Sequence, residues 1–239
     1  MANELFVALA DDLSQLIRLH DRELDAVTVD ALKKADFPSG LALPMAGEVE
    51  AAACGNMQAA LAEEISLDFL AADFAAIYLN NRLDASPYES VWLTDDHLAC
   101  GGPMFELREI YSAAGWQAAD WRQRFDDHLV LQLQFLQQQM LSPSVDAEKL
   151  AVFIDEHIGY WFPDFAKRVS MYCDTAFYAA LAELTHVWLI AFRALLSEMT
   201  GLEVPSREAM SERIHRKLAL DKAEVAPIRF LPGAQGPSW

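Results

Sequence analysis

Residues 125–141 read FDDHLVLQLQFLQQQML, and this stretch decides the fold class. Leu129, Leu133, Leu136 and Met140 recur at helical spacing, and Leu131 and Phe135 widen the stripe. Apolar positions at i, i+3, i+4 and i+7 mark a helix face packed on a core. Gln132, Gln134, Gln137, Gln138 and Gln139 fill the other side. Asp126 or Asp127 is expected to cap the first turn, because a short carboxylate accepts from free N–H groups there. An acid–histidine group, Asp126-Asp127-His128, is therefore expected at a rigid helix start reached from a loop.

The same period extends in both directions. Upstream, Leu5, Leu9, Leu13, Leu16 and Ile17 predict a first helix to about His20, and 21–32 read as a connector and second helix. The alanine-rich run 48–80 predicts a helix pair divided at Gly55-Asn56, the second carrying Leu61, Ile65, Phe69, Phe74 and Ile77 with small alanines between, as in a helix buried on several sides. From Asn81 to Gly102 no period survives, and Pro87, Gly101, Gly102 and Pro103 punctuate the chain. A loop of about 20 residues is unusual in a compact domain and often functional. This one carries Pro87-Tyr88-Glu89-Ser90 and Trp92. Pro103 then opens a helix that ends near Gly115.

Downstream, Ser142-Pro143 breaks the chain, 146–157 restart as a helix, and Trp161-Phe162-Pro163 reads as a turn with Pro163 opening the next helix. Asp174 or Thr175 caps a long apolar helix to Thr200, stopped by Gly201. Residues after Pro205 read as a polar helix with Arg207, Arg213, Arg216 and Lys217, then a loose tail over 226–239. The expected architecture is an all-α, single-domain bundle of roughly ten helices, with a hinge near Pro143 at which a domain swap is conceivable. Residues 1–200 form the bundle, and 201–239 form a C-terminal polar helix and tail.

Composition narrows the function. Of 239 residues, 53% are hydrophobic, which excludes a disordered chain. The net charge of −18 gives no basic stripe for nucleic acid and disfavours an anionic membrane. A cationic partner would be attracted, although an acidic surface also serves solubility alone. Three scattered cysteines, Cys54, Cys100 and Cys173, fit a reducing compartment better than a disulfide framework. The first residues lack a basic n-region, and no stretch reaches about 18 consecutive apolar residues, so a cytoplasmic protein without stable membrane insertion is expected.

Recognisable catalytic signatures are missing. The sequence has no phosphate loop, no GxGxxG, no HExxH and no GxSxG. One Glu-x-x-His pair, Glu183 with His186, lies in an apolar helix, where a core histidine is the simpler reading than half of a di-iron site. No catalytic or metal residue is assigned. Asp127-His128 is compatible with an oriented general base, with a capped helix start bearing an exposed histidine, or with recognition of a peptide. In the last case Asp126, Asp127 and Glu89 would meet arginines, and Tyr88 and Trp92 would supply apolar contact with a polar handle.

These residues resemble the TorD/DmsD family of redox-enzyme maturation chaperones, nearest the TorD branch. Arg22-Glu23-Leu24-Asp25, Leu70-Ala71-Ala72-Asp73-Phe74, Pro87-Tyr88-Glu89-Ser90-Val91-Trp92, Asp127-His128-Leu129, and Phe162-Pro163-Asp164-Phe165 with Phe177-Tyr178-Ala179-Ala180-Leu181 match family patches in order. The resemblance implies a cytoplasmic, all-helical chaperone that is not an enzyme. Its partners would be the twin-arginine signal peptide and apoenzyme of a molybdenum-cofactor oxidoreductase, of the trimethylamine N-oxide or dimethyl sulfoxide reductase type. It would assist cofactor insertion and prevent premature export, as a monomer or domain-swapped dimer. It needs no cofactor of its own, although weak guanine nucleotide binding is known among relatives. Pro87, Tyr88, Trp92, Asp127 and His128 would line the peptide site, with Glu89, Ser90 and Asp126 beside them. Two departures stand out: Arg124-Phe125 replaces the family's Glu-Pro, and a glutamine, Gln132 or Gln134, stands where relatives often carry acids. The alternatives are an assembly factor that binds only the mature part of its client, and a metal-dependent bundle enzyme.

Overall fold

The computed structural model describes residues 2–64, 66–80, 84–118 and 124–224. Ile65 and the expected tail at 226–239 lie outside the described residues, as do 81–83 of the long loop. Among the described residues there are eleven α-helices and no strand: α1 (Ala2–Asp21), α2 (Ala26–Lys34), α3 (Glu48–Ala62), α4 (Leu67–Phe74), α5 (Glu89–Leu93), α6 (Gly102–Ala113), α7 (Leu129–Met140), α8 (Ala147–Glu156), α9 (Ile158–Tyr172), α10 (Ala176–Thr200) and α11 (Arg207–Glu224). Helix α4 runs on into a π-helical turn at Ala75–Leu79.

Helix α10 is the axis of the bundle. Phe177, Leu181, Leu184, Trp188, Phe192 and Leu196 are all buried along it, and α1, α3, α4, α8 and α9 pack around it. It is long and apolar enough to cross a membrane by length and composition, although Glu183, His186 and Arg193 interrupt its apolar runs, and 61% of its apolar window is buried inside the bundle. Gly201 ends it in the left-handed conformation expected of a helix stop.

Helix α7 packs on α1 and α8. Its leucines are buried as the spacing predicts, each burial stabilising by about 1.5–3 kcal/mol. Its far side is not a simple glutamine face: Gln132 is fully buried. The amide of Gln132 donates to the Asp127 carbonyl at 3.0 Å and accepts from the Trp161 indole at 3.4 Å, which makes a buried glutamine tolerable.

Several boundaries differ from the expected ones. Helix α3 runs straight through Gly55-Asn56, and the break falls at 63–66, where Ser66 caps α4. The long loop contains the short helix α5. Pro163 sits inside α9 rather than at its start. The break comes earlier, at His157, whose backbone (φ −122°, ψ −105°) joins α8 to α9 at a corner. Gly159 is required there, since a Cβ would lie 2.6 Å from the Ile154 carbonyl oxygen.

Not all of the negative charge is on the surface. Asp12 accepts from the amides of Ala42 and Leu43 at 2.7 and 2.9 Å and from the Trp188 indole at 3.3 Å, fastening the 35–47 connection to α10. Asp73 accepts from the amides of Asp174 and Thr175 at 3.0 and 2.7 Å, so α4 fastens the turn that leads into α10, whose cap residue is Thr175. Buried acids of this kind satisfy loop N–H groups that would otherwise lose hydration without a partner.

Candidate functional site

The structure brings all eight candidate residues together. The Pro87–Trp92 segment lies against the start of α7 through a short antiparallel bridge between Tyr88 and His128. The Leu129 amide donates to the Pro87 carbonyl at 2.7 Å, and the Glu89 amide donates to the Asp127 carbonyl at 3.1 Å. The Asp127 carboxylate accepts from the Ser90 amide at 2.9 Å and thereby fixes the first turn of α5. The hydroxyl of Ser90 in turn accepts from the Gly101 amide at 3.1 Å.

The acid expected to cap α7 is not the one that does so. His128 is the cap residue, and its ring Nδ1 accepts from the Val130 amide at 3.1 Å. This requires a neutral ring, and burial does hold the His128 pKa well below the usual histidine range. The histidine is therefore not an exposed cap, and it contacts Tyr88 edge-on at 5.0 Å.

The three carboxylates also face inward. Asp126 is paired with the Arg108 guanidinium at 2.7 Å, and its backbone carbonyl accepts from the Tyr111 hydroxyl at 3.0 Å. Asp127 is 0% exposed, and burial pushes its carboxyl up despite the Ser90 amide. Glu89 is 1% exposed and accepts from His157 Nδ1 at 3.0 Å. Burial raises the Glu89 pKa, partly offset by His157. Tyr88 and Trp92 are the partly exposed members of the group. The Trp92 indole donates to the Ser86 carbonyl at 2.8 Å and stacks near Trp161, 6.4 Å between centroids.

The two departures at 124–125 have a local purpose. Arg124 forms an ion pair with Asp21 and donates to the Asp21 carbonyl at 3.0 Å, tying this loop to the C-terminal end of α1. Phe125 packs on Tyr88 at 5.8 Å.

A second group of residues adjoins the first and was not anticipated. Glu106 of α6, Glu156 of α8 and His157 each present one ligand-type atom within 4.8 Å of the others. His157 Nε2 is buried without a hydrogen-bond partner and lies 3.6 Å from Glu106 Oε1. Burial pulls the His157 pKa down, but the charges of Glu89 and Glu106 and the Glu89 hydrogen bond carry it above the usual value. A nitrogen and two carboxylates can hold a divalent metal. Here the cation facing them is the Lys217 ammonium of α11, which contacts Glu106 and lies 3.8 Å from Glu156. Arg213, one turn earlier, pairs with Glu156. The basic last helix thus folds back over the acidic body. Between α5, α6 and α11 runs a groove of about 670 Å³, lined by Leu93, Phe105, Glu106, Glu109 and Leu218 among others.

Fold and site define a helical binding module, a rigid bundle that holds one aromatic loop beside an acidic groove. A family model described as nitrate reductase delta subunit matches residues 45–167. The chaperone protein TorD of Shewanella loihica is 30% identical over 182 residues, 72% of this chain and 84% of the relative. That of Vibrio cholerae serotype O1 is 31% identical over 140 residues, 54% of this chain and 63% of the relative. That of Shewanella oneidensis is 32% identical over 142 residues, 56% of this chain and 64% of the relative. The matched part thus spans less than two thirds of the length of the Vibrio cholerae and Shewanella oneidensis proteins. The chain belongs to the TorD/DmsD family of redox-enzyme maturation chaperones.

Proposed function

We propose that this chain is a non-enzymatic cytoplasmic chaperone for a molybdenum-cofactor oxidoreductase. It binds the twin-arginine signal peptide and the apoenzyme, keeps the client competent for cofactor insertion and delays its export. Family membership supports the chaperone class. The observation that carries the peptide reading is the groove beside α5, in which exposed Phe105 stands next to Glu106 and Glu109. An apolar wall with an acidic flank suits a segment that is basic at one end and apolar along its length.

In this reading the eight loop and cap residues divide their work. Tyr88 and Trp92 offer contact surface. Asp126, Asp127, His128, Glu89 and Ser90 hold the loop in place through internal hydrogen bonds. Direct pairing of those acids with client arginines would require the loop to open first. Pro87 keeps the chain extended at the point where its carbonyl meets the Leu129 amide.

Co-purification with the client apoenzyme, with and without its signal peptide, tests the proposal. Capture should fall sharply when the signal is deleted. Equal capture of both forms would favour an assembly factor that recognises only the mature part.

A further inference from the structure

The acids of the Glu106–Glu156–His157 notch and the cations that face them differ in one respect. The Glu106, Glu156 and His157 side chains are 20%, 16% and 3% exposed, whereas those of Arg213 and Lys217 are 63% and 47% exposed. The acids belong to packed helices, and the cations reach in from outside. Among its described side chains, helix α11 contributes only Met210 and Ile214 to the buried apolar set. Ion pairs with one solvent-exposed partner are weak and exchangeable. The notch also retains unsatisfied capacity, because buried Glu89 Oε2 and His157 Nε2 have no hydrogen-bond partner.

We propose that this notch is the binding site for a pair of neighbouring cationic side chains on the client, and that α11, through Arg213 and Lys217, is a tethered occupant which the client displaces. The inference rests on the peptide-binding reading above and deepens it. Arg213 and Lys217 are four residues apart, so they project from one face of α11 into the same notch. An Arg-Arg segment presents the same chemistry, with two planar donors per residue for carboxylates. The surface that continues past Leu93 of α5 and Phe105 of α6, uncovered as α11 leaves, would then take the apolar residues that follow the arginines. A tethered occupant lowers apparent affinity by the fraction of molecules in which the site is free. If α11 is seated in about ten of every eleven molecules, the penalty is about tenfold.

The test measures the affinity of the full chain for a labelled peptide carrying Arg-Arg followed by an apolar run, and for the same peptide with Gln-Gln. The R213A/K217A double variant should bind the arginine peptide about tenfold more tightly than the unsubstituted protein. In the R213A/K217A background, adding E106Q/E156Q should weaken binding of the arginine peptide about tenfold, and the Gln-Gln peptide should not distinguish the unsubstituted protein from R213A/K217A. In the unsubstituted protein, adding the arginine peptide should speed hydrogen exchange of the α11 amides. Binding of the arginine peptide that is unchanged or weaker in R213A/K217A, or unaltered α11 exchange on binding, overturns the inference while leaving the peptide-binding reading intact. Failure of both the unsubstituted protein and R213A/K217A to bind either peptide overturns the reading and the inference together.

Discussion

Glu89 and His157 are 68 residues apart in sequence and meet as a buried pair, with Oε1 3.0 Å from Nδ1. The pair locks helix α5, which carries the aromatic loop, onto the corner between α8 and α9. It is also the point at which the loop and the acidic notch become one structure.

Removing one member of this pair should be costly. His157→Gln leaves a buried carboxylate without its ionic partner, a change that typically costs about 3–5 kcal/mol. The pH dependence carries a sign that checks the assignment. The folded-state pKa of His157 is raised, so its stabilising contribution is complete below the unfolded value of 6.5. It is lost as pH rises through the folded value. Glu89, also raised, acts in the same direction. His20 and His128, both depressed, act in the opposite direction as pH rises from 6 to 8, so urea unfolding at pH 6 and pH 8 is read as a difference between the two proteins: stability should rise more steeply with pH, or fall less, in His157→Gln than in the unsubstituted protein. Identical slopes in both proteins would contradict the pairing.

Asp127→Ala removes the acceptor of the Ser90 amide at 2.9 Å. A buried donor left without a partner costs about 1–3 kcal/mol. The two backbone bonds of the bridge persist, so the loop should loosen rather than detach. Faster hydrogen exchange at Ser90 with little change in α10 is the expected pattern. Unchanged exchange at Ser90 would show that this bond does not hold the loop.

Acid should destabilise the protein through His20. Its ring lies between the Tyr78 hydroxyl at 2.6 Å and the Thr185 hydroxyl at 2.9 Å, and burial lowers its pKa to about 3. A depressed histidine leaves the unfolded chain binding the extra proton, so stability is lost as pH falls below 6.5 toward 3. Each such proton is worth about 1.4 kcal/mol per pH unit. His128, also depressed, adds to this loss, whereas the raised carboxyls of Glu89 and Asp127 oppose it. The His20→Gln variant should lose stability less steeply between pH 6.5 and 4. A steeper loss would contradict a neutral buried ring.

The helical class was legible because it rests on local signals. The 3.6-residue stripe of α7, the apolar run of α10 and the stop at Gly201 all survive in the structure. What local pattern conceals is the use of polar residues across long sequence distances. Gln132 looks like a surface glutamine, yet it is buried because Asp127 and Trp161 converge on it. His128 takes the capping role assigned to its neighbouring acids, since its ring reaches the Val130 amide while Asp126 and Asp127 turn toward Arg108 and Ser90. The notch was invisible because Glu106 and Glu156 are 50 positions apart and only the fold joins them. The adjacency of Glu156 and His157 at a helix junction, and the i,i+4 spacing of Arg213 and Lys217, were the available hints. Pro163 misled for a different reason: the α8–α9 break is set by Gly159 and the His157 backbone, not by the proline.

The most direct test of the chaperone reading is calorimetry with a synthetic twin-arginine signal peptide from a molybdoenzyme at two salt concentrations. Micromolar or tighter binding, roughly −8 kcal/mol, that weakens moderately with salt is the expected result. A loss of at least about tenfold is also expected for Tyr88→Ala or Trp92→Ala in proteins that keep their native melting behaviour. Absence of binding by a folded protein at both salt concentrations, or full affinity in both aromatic variants, would contradict the chaperone reading.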